Sequence, residues 1–125
     1  MNNLINEFNT NALQCIDFII SVTNDSDLQF YKKAFDKIIL VDNTKAIEQF
    51  IIHCLPHYQE IINKDEKYFI NLKSSLNKTS LIEVLKLKKY FISLDNDVKN
   101  LIFEYLILLC NYSKQYLQSK LSTSK

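Results

Sequence analysis

Asn3, Glu7, Thr10, Gln14, Asp17, Ser21 and Asn24 follow one another at steps of four and three residues. Such steps line residues up along one side of an α-helix. Ile5, Phe8, Ala12, Cys15, Ile16, Ile19 and Val22 fill the opposite side. The two stripes predict a first helix over about residues 3–23. "NDSDLQF" (24–30) ends it, and Ser26 with Gln29 three positions later reads as a capping box that opens a second helix. The apolar face of that helix is Leu28, Tyr31, Ala34, Phe35, Ile38 and Ile39. "VDNTK" (41–45) breaks it and offers Asp42, Asn43 and Thr44 as N-caps. A third helix is expected from about 44, through Pro56, to about Asn63.

The pattern is weakest over "NKDEKYFINLKSSLNKTS" (63–80). Tyr68, Phe69, Leu72 and Leu76 suit a short helix, whereas Ser74, Ser75, Asn77 and Thr79 read as loop. Ser80 with Glu83 forms a second capping box, opening a helix through about Ser93. "SLDND" is a turn, and the last helix is expected from about 96 to 120. Its polar side carries Asp97, Asn100, Glu104, Asn111 and Gln115; its apolar side carries Val98, Leu101, Ile102, Tyr105, Leu109, Tyr112 and Tyr116. The centre of this helix is apolar nearly all round, so it should be the most buried element. The expected fold class is all-α: a compact single-domain bundle of about five to six helices over residues 1–120, one kinked at Pro56, with a frayed polar tail at 121–125.

Composition narrows the function. The 125-residue chain contains no glycine. Phosphate-cradling loops and nucleophile elbows depend on glycine, so the corresponding nucleotide-binding and hydrolase motifs are excluded. All 15 formal cations are lysines and the net charge is +1. No global field therefore draws the chain to nucleic acid or to an acidic membrane. Cys15, Cys54 and Cys110 are isolated and odd in number, and "MNNLINEFNTN" lacks the basic and apolar blocks of a secretory leader. These features point to a reducing, cytoplasmic setting. No apolar run approaches the ~20 residues that span a bilayer, so no membrane partner is expected. The abundance of Asn, Ile, Lys, Tyr and Phe matches A/T-rich codon usage.

"IIHCLPHYQE" (51–60) concentrates both histidines, a cysteine and the sole proline. On a continuous helix Cys54 points into the core with Ile47, Phe50, Ile51, Tyr58, Ile61 and Ile62, while Pro56 points to solvent. His53, His57 and Glu60 then share a flank and form the candidate metal set. A structural site wants about four ligands, and no second Cys/His pair exists. The competing account is two surface histidines on a bent helix; no cofactor is expected. Cys15 and Cys110 have no local base, and the helical geometry turns His53 and His57 away from Cys54, so the chain is read as a non-enzyme. "KLKKYF" (86–91) and "NYSKQYLQSK" (111–120) interleave lysine with aromatics as nucleic-acid binders do. Lys86, Lys88, Lys89, Lys114, Lys120 and Lys125 are the residues of that alternative.

Two segments, "VDNTKAIEQFIIHCLPHYQEIINKDEKYFIN" (41–71) and "LKKYFISLDNDVKNLIFEYLILLCNYS" (87–113), resemble a group of small all-helical proteins encoded by large nucleocytoplasmic DNA viruses. Pro56 matches a proline-containing bend in that pattern. Ile62, Lys64, Asp65, Glu66 and Phe69 match an Ile, Lys-Asp-Glu and aromatic block, and Phe103, Tyr105 and Leu106 match a final aromatic helix. Phe103 stands where tryptophan is expected, and Tyr68 where phenylalanine is commoner. The resemblance implies a helical fold and a viral context, in host cytoplasm, a virus factory or the virion, and carries no chemistry. The surplus of aromatics, without a catalytic set, favours an interaction or structural protein whose partner is a viral protein, a host protein or a second copy.

Overall fold

A computed structural model describes residues 2–71 and 87–123. The described residues form seven α-helices and one 3₁₀ turn, with no strand. They are α1 (Asn2–Thr23), α2 (Ser26–Val41), α3 (Lys45–His53), the 3₁₀ turn (Leu55–His57), α4 (Tyr58–Ile62), α5 (Glu66–Asn71), α6 (Leu87–Ser93) and α7 (Asn96–Thr123). The fold is a compact all-α bundle.

The apolar stripe of α1 is buried from Ile5 to Ile19; only Val22 at its end reaches solvent. Its partner is α7. Asn11 meets Tyr112 and, further along α1, Phe18 meets Tyr105, so the two long helices run antiparallel. From Ile102 to Cys110, Glu104 alone is exposed, as a helix apolar on nearly every side requires. Leu101 departs from the expected apolar side and is half-exposed. The helix also continues to Thr123, into the segment expected to fray; residues 124 and 125 lie outside the described residues.

Helix α2 packs on α1 and α3 through Leu28 and Phe35. Its cap differs from the sequence expectation. Asp25, not Ser26, is the N-cap, its Oδ1 accepting from the N–H groups of Asp27 (2.9 Å) and Leu28 (3.4 Å). Gln29 donates to Asn24 Oδ1 at 3.4 Å instead of closing a box on Ser26. The hydroxyl of Tyr90 donates to the other oxygen of Asp25, tying α6 to the start of α2. The two oxygens of one carboxylate thus cap the helix and hold a second element at once.

Without glycine, the turns that need a positive φ are made by other residues. Asn24 takes φ 54° after α1, its N–H bonded to Ile20 O at 2.6 Å. Asparagine is the residue after glycine that tolerates this region best. Lys64 takes φ 52° after α4. The helix expected over 80–93 is described only from Leu87. Its capping pair Ser80 and Glu83 lies outside the described residues, as do Leu72 and Leu76 of the expected short helix.

Candidate functional site

The bend at Pro56 is a break rather than a kink. Helix α3 stops at His53, where the N–H of Cys54 still bonds Phe50 O at 2.8 Å. The chain then tightens into the single 3₁₀ turn, with His57 N–H on Cys54 O at 2.9 Å. Proline has no N–H to offer the α-helical ladder, and a 3₁₀ turn spares it that role. Cys54 is fully buried and Pro56 exposed, on the sides expected of them.

The break separates the histidines. A 3₁₀ turn advances about 120° per residue against about 100° in an α-helix, so His57 is rotated away from the flank it would share with His53. His53 Nε2 lies 3.2 Å from Gln49 Oε1 on its own helix. His57 Nδ1 lies 2.6 Å from the hydroxyl of Tyr68 on α5. Glu60 is felt by Tyr68: burial first, and then the nearby carboxylate, raise the phenol above its ordinary pKa. No three His, Cys, Asp or Glu side chains among the described residues gather to hold a metal. His53, His57 and Glu60 are thus not brought together as ligands.

A network of polar ties follows directly. Lys64 N–H bonds Ile61 O (3.1 Å) and Asp65 N–H bonds Glu60 O (3.0 Å). With Lys64 left-handed, this is a Schellman close to α4. Asp65 then caps α5, its Oδ1 accepting from Tyr68 N–H at 3.1 Å. Glu66 pairs with Lys99 of α7 at 2.7 Å, and the Lys99 side chain is only 12% exposed. Lys64 Nζ reaches Asn100 at 2.5 Å and Glu104 at 3.5 Å, both on α7. Phe69 is buried, 5.9 Å from Phe91 and 6.0 Å from Phe103; Phe91 and Phe103 stack at 4.7 Å and 11°. Lys64, Asp65, Glu66 and Phe69 therefore stop α4, start α5 and fasten the junction to α6 and α7. Tyr105 packs elsewhere, 6.0 Å from Phe18 of α1.

The described lysines of the nucleic-acid alternative each lie by an aromatic ring. Lys114 lies over the ring of Tyr58 at 4.2 Å, Lys120 over Tyr116 at 5.3 Å and Lys89 by its neighbour Tyr90 at 5.5 Å. Lys114 and Lys120 are six residues apart, which turns them about 120° from each other around α7. Lys86, Lys125 and the Lys88 side chain lie outside the described residues.

The thiols are core atoms. Cys15, Cys54 and Cys110 are free and fully buried. Burial pushes the Cys15 thiol up to about 12; it does the same for Cys110 against the opposing pull of Lys114. A thiol held protonated is a poor nucleophile.

One surface was missed in the sequence. Besides its core-facing residues, α2 carries Phe30 (76% exposed), Leu40 (86%) and Val41 (89%). At about 100° per residue all three fall on the side away from Leu28 and Phe35. The signal was there: α2 holds more large apolar residues than one buried stripe uses. No described helix is long and apolar enough to cross a membrane. Compared with known proteins, the chain matches no family model, no curated protein and no solved structure. The class that the fold itself defines is a small all-α bundle with a stitched α4–α5 junction and, on α2, an outer face with exposed apolar residues.

Proposed function

We propose that this chain is a non-enzymatic interaction protein that engages a protein partner through the outer face of α2, in the host cytoplasm or virus factory of a large DNA virus. The observation that carries the reading is the exposure of Phe30, Leu40 and Val41 together on one 16-residue helix. Single exposed apolar residues are ordinary, but three large ones on one helical face mark a surface that gains by being covered. The buried thiols and the histidines engaged with Gln49 and Tyr68 support a chain without a prepared nucleophile. The viral context rests on the sequence resemblance at 41–71 and 87–113.

The test uses the triple variant Phe30→Ser, Leu40→Ser, Val41→Ser. The three side chains are solvent-facing, so the variant should keep its circular dichroism and melting temperature. Cross-linking of wild-type protein in infected-cell extract should join α2 to a defined partner that the variant no longer captures. A variant that captures the same proteins with the same cross-links overturns the reading.

A further inference from the structure

The outer face of α2 is not uniformly apolar. Phe30, Lys33, Lys37, Leu40 and Val41 occupy one arc of about 100° on the side away from the core. Lys33 and Lys37 are exposed, and no ion pair or hydrogen bond is recorded for either among the described residues. The neighbouring lysine behaves differently. Lys32 is held by Asp17 of α1 at 2.6 Å, and Asp36 also acts on it. The face therefore presents apolar anchors at its two ends and two unneutralised ammonium groups between them.

That order selects among occupants. A second copy paired antiparallel about a two-fold axis, with Phe30 against Leu40, sets Lys33 against Lys37 twice over. A parallel pair sets each lysine against itself. Like charges enclosed in a contact oppose it. A bilayer surface fits no better: lysines of an interfacial helix sit at the edges of the apolar face, where their stems reach back to water. Here they sit in its middle. What fits is a surface with apolar side chains at two ends and carboxylates between.

We propose, building on the interaction reading above, that the outer face of α2 binds an acidic amphipathic helix of a partner protein. Its apolar residues cover Phe30 at one end and Leu40 and Val41 at the other. Its Asp or Glu side chains meet Lys33 and Lys37. The apolar contacts supply affinity and the charges supply register and choice of partner.

The experiment is a selection from a displayed library of amphipathic helices with randomised surface positions, run on the full chain. Peptides that bind wild-type protein should carry acids between their apolar anchors. They should lose on the order of tenfold or more in affinity on Lys33→Glu, Lys37→Glu, and weaken as salt is raised. Selection on that charge-reversed protein should turn to basic peptides. Circular dichroism confirms that each variant is folded. Peptides that need Phe30, Leu40 and Val41 but show no charge preference overturn this proposal and leave the interaction reading standing. Peptides that bind the triple serine variant equally well, or no enrichment at all, overturn both. A dimer in light scattering that the triple variant abolishes, or sedimentation with anionic phosphatidylserine vesicles, assigns the face to a second copy or to membrane and overturns the acidic-helix proposal.

Discussion

The Lys99 ammonium sits 2.7 Å from a carboxylate oxygen of Glu66, and its side chain is almost wholly withdrawn from water. The pair joins α5 to α7 across 33 residues of sequence. Its two members differ in exposure, since Glu66 keeps 36% of its side-chain surface. Glu66→Gln leaves a buried cation with weaker compensation and should cost about 1–3 kcal/mol. Lys99→Met leaves only a half-open carboxylate and preserves volume, so it should cost less. Urea denaturation of both variants checks the order; a larger loss for Lys99→Met would contradict it.

Lys64 occupies a left-handed position where a side chain is disfavoured by about 1–2 kcal/mol. Its ties to Asn100 and Glu104 are partly exposed and worth about 0–1 kcal/mol. Lys64→Gly should therefore leave stability unchanged or raise it by up to about 1 kcal/mol. Lys64→Val should lower it, because a branched side chain fits that region worst. Denaturation midpoints of the two variants should move apart in this sense.

Phe69 is where the α5–α6–α7 aromatic cluster converges, touching Phe91, Phe103 and Tyr68 within ring distances of 5.1–6.0 Å. Phe69→Ala should destabilise by about 3–5 kcal/mol, and Phe69→Leu by clearly less. Near-ultraviolet circular dichroism should report the loss of ordered aromatic packing in the first variant.

The buried thiols weaken the fold in alkali, in the same direction as Tyr31, Tyr68 and Tyr112, whose phenols burial also raises. Cys15 has an ordinary pKa of 9.0 and stands at about 12 in the fold. The unfolded chain loses this proton first, so the folded chain binds more protons between those values. Stability is complete below about pH 9 and falls as pH rises toward 12, by about 1.4 kcal/mol per pH unit for each such thiol. Cys15→Ala should shift the whole curve by its packing cost and reduce its slope between pH 9 and 11. An unchanged slope would refute the assignment.

The same burial predicts the chemistry of the thiols at neutral pH. A disulfide reagent such as dithionitrobenzoate should react with none of Cys15, Cys54 and Cys110 in native protein and with all three in denaturant. Rapid native labelling of one residue would locate a part of the core that opens on its own.

Much of the fold was legible because helical periodicity is local. The stripe from Ile5 to Ile19, the inward turn of Cys54 and the enclosure of α7 all follow from counting residues at about 100° each. Caps were less legible. Ser26 and Asp25 are both good cap residues, and the one that caps, Asp25, also accepts from Tyr90, 65 residues away, a contact no local pattern states. The histidine flank was read on a continuous helix; the chain instead forms a 3₁₀ turn at Pro56, where His57 packs against Tyr68 and Phe69.

The Lys-Asp-Glu-aromatic block shows the same division. Its position between two helices could be read from the chain, but not that Lys64, Glu66 and Phe69 all reach α7. By itself the sequence determined what repeats along one helix: the main inward stripes, although Ile38, Ile62 and Leu101 of those stripes reach solvent, and that turns must form without glycine. Tertiary structure alone decided what depends on a second helix. It chose Asp25 as the cap, buried Lys99 against Glu66, separated His53 from His57 and left Phe30, Leu40 and Val41 facing water. Period is a property of one segment, whereas burial and pairing are properties of two: the pattern within α2 marks its inner face through Leu28 and Phe35, but not that Phe30, Leu40 and Val41 stay uncovered.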